Sequence, residues 1–221
     1  MTKIALVDDH ILLRDALADV INKFDHCQVV CRARNGLELL EALDAGCQPD
    51  LVLLDVDMPQ LDGYATARAL KDRYPHIYIL VLTMYDSELA MIRLLQLGVR
   101  GILIKDISPA ELRISIETTM LTGYYYSHTS AGKLVQLLKQ DDSRNPRVNH
   151  LLLSEIEIFF LRLCSTEKTY KEIARAMKTT PRTIENYREN LFVKLNVKSR
   201  VGLVLFALQN GVLTGERKDL E

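Results

Sequence analysis

The sequence predicts an α/β protein in which a five-stranded, doubly wound parallel sheet precedes a small domain made only of helices. Five short apolar runs alternate with amphipathic helical patterns over the first 122 residues. A polar stretch with a proline follows, and every later pattern is helical. The predicted division is a sheet domain at 1–122, a linker with one helix at 123–149, a four-helix domain at 150–213 and a tail at 214–221.

The elements follow one another regularly in the first domain. Strands are predicted at 4–7, 28–31, 51–54, 77–82 and 101–104, and helices at 11–23, 36–44, 64–73, 87–97 and 109–121. Ser108 before Pro109 predicts an N-cap followed by proline at the first helical position. Later helices are predicted at 154–164, 170–177, 181–195 and 199–210, with the linker helix at AGKLVQLLKQ, 131–140.

Composition is that of an ordinary soluble protein: 48% hydrophobic, 26% charged and a net charge of -1. From Leu151 onward there are 12 Lys and Arg against 9 Asp and Glu, a net of +3, which leaves -4 for the preceding residues. No apolar run reaches the about 20 residues that a membrane span needs. The N-terminus MTKIALVDD lacks a signal-peptide core, so we expect a cytoplasmic protein without a membrane partner.

The cysteines Cys27, Cys31, Cys47 and Cys164 form no CxxC pair and lie within apolar runs. This pattern predicts buried, reduced thiols rather than a zinc site or a disulfide scaffold.

Acidic and polar residues follow four of the predicted strands. In LVLLDVDMPQLDG, residues 51–63, Asp55 ends the third strand, and Asp8-Asp9, Thr83 and Lys105 end the first, fourth and fifth. The carboxyl ends of parallel strands share one crevice. Clustered carboxylates there favour Mg²⁺, while a lysine and a metal together let one carboxylate attack a phosphoryl group.

This set resembles the receiver domain of two-component response regulators, whose fold is flavodoxin-like. The matching pattern is the acidic pair, then D-x-x-M-P-x-x-D-G from Asp55 to Gly63, then Thr83 and Lys105. The resemblance implies Asp55 as phosphoacceptor, with Lys105 on the phosphate and Thr83 as the switch hydroxyl. It further implies a Mg²⁺ site made by Asp8, Asp9, Asp55 and the backbone carbonyl of Asp57. Receivers commonly carry an aromatic residue where this chain has Ile102.

A haloacid-dehalogenase-like phosphatase is the enzymatic alternative, because such enzymes also place D-x-D after an apolar strand. In them both Asp55 and Asp57 would act, as nucleophile and as general acid or base. This chain instead continues with Met58-Pro59 and carries its acidic pair upstream. Loss of the Asp57 side chain would abolish activity only in the phosphatase.

The segment YKEIARAMKTTPRTIENYRENLFVKL predicts two helices around a tight turn, with Thr180 as the cap of the second helix. At 100° per residue, one face of that helix carries Ile184, Tyr187, Leu191 and Leu195, and the opposite face carries Arg182, Asn186, Glu189, Asn190 and Val193. A braced helix with a polar outer face is the geometry of a helix-turn-helix.

Residues 150–213 resemble the LuxR-type DNA-binding domain, so the whole chain is similar to response regulators of the NarL/FixJ type. The resemblance implies a transcription factor, not an enzyme, that receives phosphate from a sensor histidine kinase and binds double-stranded DNA as a homodimer. The candidate DNA contacts are Lys171, Arg182, Thr183, Glu185, Asn186, Arg188, Glu189, Asn190, Lys194, Lys198 and Arg200. Asn186 and Asn190 suit base edges, the basic residues suit phosphates, and Glu185 and Glu189 stand where some members carry lysines. A receiver with a helical protein-interaction output is the alternative, since a net charge of +3 is low for a DNA-binding domain.

Overall fold

A parallel sheet forms the centre of the first domain in the computed structural model, which describes residues 1–84, 88–126, 153–210 and 212–213. The strands are β1 (Thr2–Val7), β2 (Cys27–Ala33), β3 (Leu51–Asp55), β4 (Tyr78–Thr83), β5 (Gly101–Ile104) and β6 (Tyr125–Tyr126), in the order β2-β1-β3-β4-β5-β6. All five predicted strands are present, each within two residues of its predicted bounds. The predicted doubly wound sheet is therefore confirmed.

Helices cover both faces of the sheet. They are α1 (Ile11–Ile21), α2 (Gly36–Asp44), α3 (Gly63–Arg73), α4 (Glu88–Gln96) and α5 (Pro109–Thr122). Alternate strand residues enter two separate cores: Val52 and Leu54 pack with α2, α3 and α4, whereas Leu51 and Leu53 pack with α1 and α5. Burial on both faces explains why these strands are continuously apolar.

The sixth strand was not predicted, because its residues were assigned to the linker. Tyr125 and Tyr126 pair in parallel with Gly101 and Ile102 of β5. A Cβ on Gly101 would lie 2.5 Å from the carbonyl oxygen of Tyr125, so only glycine permits this approach. Two residues are too few to produce a periodic pattern, and the pairing depends on the backbone alone.

The second domain contains α6 (Glu155–Cys164), α7 (Tyr170–Ala176), α8 (Pro181–Lys194) and α9 (Arg200–Gln209), as predicted. Capping boxes begin α6 at Ser154 and α7 at Thr169. Phe160, Ile173, Ile184, Leu191 and Leu203 belong to its core and are fully buried. The predicted linker helix at 131–140 lies outside the described residues.

The two domains touch along α3, α4 and α6. Leu89 of α4 is 1% exposed and belongs to the same apolar cluster as Ile158 of α6. Beside this contact, a cleft of about 690 Å³ is lined by residues of α3, α4 and α6. Among the described helices, none combines the length and apolar character that crossing a bilayer requires.

Candidate functional site

Asp55 lies at the end of β3, at the carboxyl edge of the sheet, and its side chain is 4% exposed. Oδ1 accepts a hydrogen bond of 2.8 Å from the backbone N–H of Val56. Oδ2 lies 2.9 Å from Nζ of Lys105. The carboxylate is thus held in one orientation, with an ammonium group directly beside it.

Lys105 follows β5 and joins two carboxylates across the sheet. Its Nζ lies 2.8 Å from Oδ2 of Asp8 as well as 2.9 Å from Asp55. Asp8 follows β1 and is 4% exposed. Its backbone carbonyl accepts a 2.9 Å hydrogen bond from the buried Arg14, which fixes the loop that carries the acidic pair.

Burial controls the ionisation of Asp55. It raises the pKa of this carboxyl from 3.8 to about 6, although the charge and hydrogen bond of Lys105 oppose the shift. Burial alone would lower the pKa of Lys105, but its hydrogen bond to Asp8 and the charge of Asp55 outweigh burial, so that its pKa is raised. At neutral pH the site therefore holds an ionised Asp55 beside a permanently charged Lys105.

The acidic residues are close enough to share one cation. Carboxylate oxygens of Asp8, Asp9 and Asp55 and a ring nitrogen of His10 all lie within 4.8 Å of one another. Hard oxygen ligands of this kind fit Mg²⁺. His10 was not predicted as part of the site, and its Nδ1 lies 2.8 Å from Oδ1 of Asp9 and 3.1 Å from Oδ1 of Asp8. The only sequence signal for a place of His10 in this cluster is its position directly after Asp8-Asp9.

Two further predicted positions flank the cluster. Thr83 ends β4 at the same edge and is 2% exposed, and its carbonyl accepts a 3.0 Å hydrogen bond from the N–H of Lys105. Asp57 has an exposed side chain, in contrast with the buried Asp55. Ile102 is 5% exposed and belongs to the core beneath α2, α3 and α4, so the aliphatic side chain fills that position without reaching solvent.

The loop after Asp55 folds back onto the strand through Asp62-Gly63. Asp62 caps α3, and its Oδ1 accepts a 2.8 Å hydrogen bond from the N–H of Ala65. A Cβ on Gly63 would lie 2.4 Å from the carbonyl oxygen of Asp55 and 2.6 Å from Cα of Val56. Glycine at position 63 is therefore required for the loop to pass so close to the backbone of Asp55.

The second domain presents a polar helix face to solvent. Thr180 caps α8 through the N–H of Thr183, and Ile184 and Leu191 point into the core. The opposite face is exposed, as predicted from its periodicity; it carries Arg182, Asn186, Glu189, Asn190 and Val193. Glu185, outside the predicted face, is exposed as well. Lys171 on α7 and Lys198 beyond α8 are also exposed.

Three other residues predicted to contact DNA bind partners within the domain itself. Nζ of Lys194 lies 2.8 Å from both carboxylate oxygens of Glu157 on α6. Arg200 donates hydrogen bonds of 2.9 and 2.6 Å to the carbonyls of Cys164 and Thr166, at the end of α6. The guanidinium of Arg188 lies 5.4 Å from the ring centre of Tyr170. The geometry gives these three side chains a bracing role.

Comparison with known proteins assigns both domains. The model of the response regulator receiver domain matches residues 4–117, and that of bacterial regulatory proteins of the luxR family matches residues 151–207. The transcriptional regulatory protein YhcZ of Bacillus subtilis is 32% identical over 97% of this chain and 98% of its own length, and is described as uncharacterized. The response regulator GacA of Pseudomonas syringae is 32% identical over 96% of this chain and 98% of its own.

Solved structures agree on the fold. RcsB of Salmonella enterica, bound to the promoter rprA in the presence of the phosphomimetic BeF3-, covers 93% of this chain at a TM-score of 0.67 and 21% identity, with 97% of that structure matched. The matches disfavour both the phosphatase and the protein-interaction alternatives. The chain belongs to the response regulators that join a receiver domain to a LuxR-type DNA-binding domain.

Proposed function

We propose that this response regulator is controlled by Mg²⁺-dependent phosphorylation of Asp55. The observation that carries the proposal is the position of Asp55, which is buried at a strand end within 2.9 Å of Lys105 and beside two further carboxylates. A nucleophile, a cation and a metal-ligand set occupy one crevice, as phosphoryl transfer requires.

The chemistry follows from the contacts. An oxygen of ionised Asp55 attacks the phosphorus of the donor, an acyl phosphate bond forms, and the bond to the leaving group breaks. Before the reaction, Lys105 is shared between Asp8 and Asp55. After it, the ammonium group pairs with the phosphate oxygens, and the Thr83 hydroxyl donates a hydrogen bond to one of them. Asp8, Asp9, Asp55 and the Asp57 carbonyl would hold Mg²⁺, which supplies neutralisation of the phosphate charge.

The donor that we propose is a sensor histidine kinase, which the presence of a receiver domain supports. We place the protein in the cytoplasm, together with the DNA to which its second domain is directed.

The proposed DNA surface is the exposed face of α8. Asn186 and Asn190 can each make two hydrogen bonds to an adenine edge in the major groove, and Glu185 and Glu189 can accept from cytosine. Among the basic candidates, Lys171, Arg182 and Lys198 are exposed and suit the phosphate backbone. We propose a homodimer as the bound form, with half-sites one helical turn or a multiple apart.

Intact mass measurement after incubation with acetyl phosphate and Mg²⁺ tests the phosphorylation. We expect one phosphoryl group on the wild type and none on Asp55→Asn or in the presence of a chelator. Asp57→Asn is the matched control, because its backbone carbonyl remains, and it should still be phosphorylated. An unmodified wild type, or a phosphorylated Asp55→Asn, would contradict the assignment.

A further inference from the structure

Two of the four cysteines lie close together in the fold, and neither is fully buried, although the sequence predicted four buried, reduced thiols. Cys31 lies on β2, and Cys47 follows α2. Sγ of Cys47 lies 4.0 Å from the carbonyl oxygen of Val30, which belongs to the peptide group that leads into Cys31. Cys47 is also the neighbouring group that, next to burial, raises the pKa of the Cys31 thiol, as expected of two cysteines that lie close together. Helix α2 lies between the two cysteines and brings the chain back to β2, at the edge of the sheet. No local sequence motif predicts that they lie close together.

The pair also differs from the other cysteines in its access to solvent. Cys27 and Cys164 are buried, whereas Cys31 and Cys47 are both half-buried. Cys47 opens onto a surface cavity of about 420 Å³, whose wall includes Lys3, Tyr74 and His76. Cys31 lies on the inner side and packs against the core beneath α2. A small reagent in this cavity can therefore reach Cys47 first, whereas Cys31 is on the side of the core.

We propose that Cys31 and Cys47 form a redox-active thiol pair, which closes to an intramolecular disulfide by exchange with a low-molecular-weight disulfide such as that of glutathione. In the first step the Cys47 thiolate attacks one sulfur of the small disulfide, and a small thiolate leaves. In the second step Cys31 attacks Sγ of Cys47, and the second small thiolate leaves and takes up the Cys31 proton. Two protein thiols are oxidised, and one small disulfide is reduced to two thiols.

The order of the steps follows from the different surroundings of the two sulfurs. Burial, with the neighbouring Cys47, raises the pKa of Cys31 to about 12. Cys31 is therefore a thiol at neutral pH and a poor first nucleophile, since the thiolate is the reactive form. A mixed disulfide on Cys47 places a sulfur with a good leaving group against Cys31, so that the second step is intramolecular.

The test treats the reduced full-length protein with oxidised glutathione, then alkylates all remaining thiols under denaturing conditions and measures the intact mass. We expect the wild type to lose two hydrogens and two alkylation sites, with a peptide that links Cys31 to Cys47. Cys31→Ser should instead accumulate one glutathionyl group on Cys47, because the resolving thiol is missing. Cys47→Ser should react at least tenfold more slowly than the wild type.

Cys27→Ala and Cys164→Ala are the controls for the other two thiols, and both should still form the disulfide at the wild-type rate. Circular dichroism of each variant verifies that it is folded before oxidation. Four free thiols in the oxidised wild type, a stable mixed disulfide on the wild type, or a linked peptide containing Cys27 or Cys164 would each overturn the proposal. None of these readouts depends on Asp55, so failure here leaves the proposed function untouched.

Discussion

Asp62 in the receiver domain is joined to Arg162 in the DNA-binding domain, with Oδ2 of the carboxylate 3.1 Å from Nη2 of the guanidinium. The same Asp62 caps α3 through Oδ1, and Arg162 also donates a 3.2 Å hydrogen bond to the carbonyl of Val212. Their side chains are 9% and 22% exposed. The loop that follows Asp55 at the end of β3 is therefore connected directly to α6 of the DNA-binding domain.

This connection predicts that the ion pair holds the unphosphorylated protein in an arrangement with reduced DNA affinity. Asp62→Asn keeps a capping oxygen but removes the charge, and Arg162→Met removes the partner. We expect each variant to bind DNA about fivefold more tightly without phosphate, at the low end of typical coupling between sites because Arg162 is partly exposed. Fluorescence anisotropy on a DNA site selected by the phosphorylated protein measures the change.

The double variant distinguishes the ion pair from two separate effects. If the two side chains act only through each other, the double variant should bind no more tightly than either single variant. Arg113→Ala, which breaks a surface ion pair with Glu117 on α5, should leave affinity unchanged. Equal affinity of the wild type and both single variants would remove any restraining role from the contact.

Gly63→Ala should destabilise the receiver domain, because the added Cβ would lie 2.4 Å from the Asp55 carbonyl oxygen and 2.6 Å from Cα of Val56. Neither atom belongs to a flexible side chain, so the backbone must move, at a cost of about 1–3 kcal/mol. Urea denaturation measures the loss. Gly46→Ala is the control for backbone strain without a clash, since Gly46 has a φ of 102° and no atom near its added Cβ, and it should lose about 1 kcal/mol.

The raised pKa of Asp55 predicts that metal-free protein loses stability as the pH rises. The carboxyl titrates near 3.8 when unfolded and about 6 when folded, so between these values the native state holds a proton that the unfolded state has released. The contribution of Asp55 is fully present below about pH 4 and is lost as the pH passes 6. Above that pH, Asp55→Asn should therefore be more stable than the wild type by up to about 3 kcal/mol.

Denaturation of both proteins in chelator at about pH 4 and about pH 7.5 measures this difference. Added Mg²⁺ should reduce the difference at the higher pH, because a bound cation stabilises the ionised carboxylate. A difference that stays constant across the pH range would mean that Asp55 titrates normally in the folded protein.

The receiver site could be predicted from sequence because parallel strands bring their carboxyl ends to one edge. Asp8, Asp55 and Lys105 each follow a recognisable apolar run, and their order along the chain determines that they meet. The cap that Asp62 forms at the start of α3 is equally local, because its side chain accepts from the N–H of a residue only three positions later. By contrast, the ion pair of Asp62 with Arg162 and the proximity of Cys47 to the Val30–Cys31 peptide group depend on tertiary packing, which no sequence periodicity predicts.

Periodicity also identified the exposed face of α8. It could not distinguish basic residues that are exposed to solvent from basic residues that bind groups within the domain. Lys194 and Arg200 were predicted to contact DNA phosphates because the sequence shows their positive charge but not their partners. Their partners, the Glu157 carboxylate and the Cys164 carbonyl, belong to α6, and only the packing of the helices brings them within reach.

The salt dependence of DNA binding distinguishes these two kinds of basic residue. A phosphate contact releases counterions, so Lys198→Ala and Arg182→Ala should each reduce the slope of log affinity against log salt concentration by about 0.9 per monomer. Lys194→Met should leave that slope unchanged and should instead lower the free energy of unfolding of the DNA-binding domain, because Glu157 loses its 2.8 Å partner. If Lys194→Met reduces the slope as much as Lys198→Ala does, then Lys194 exchanges Glu157 for a DNA phosphate on binding, and its bracing role is limited to the free protein.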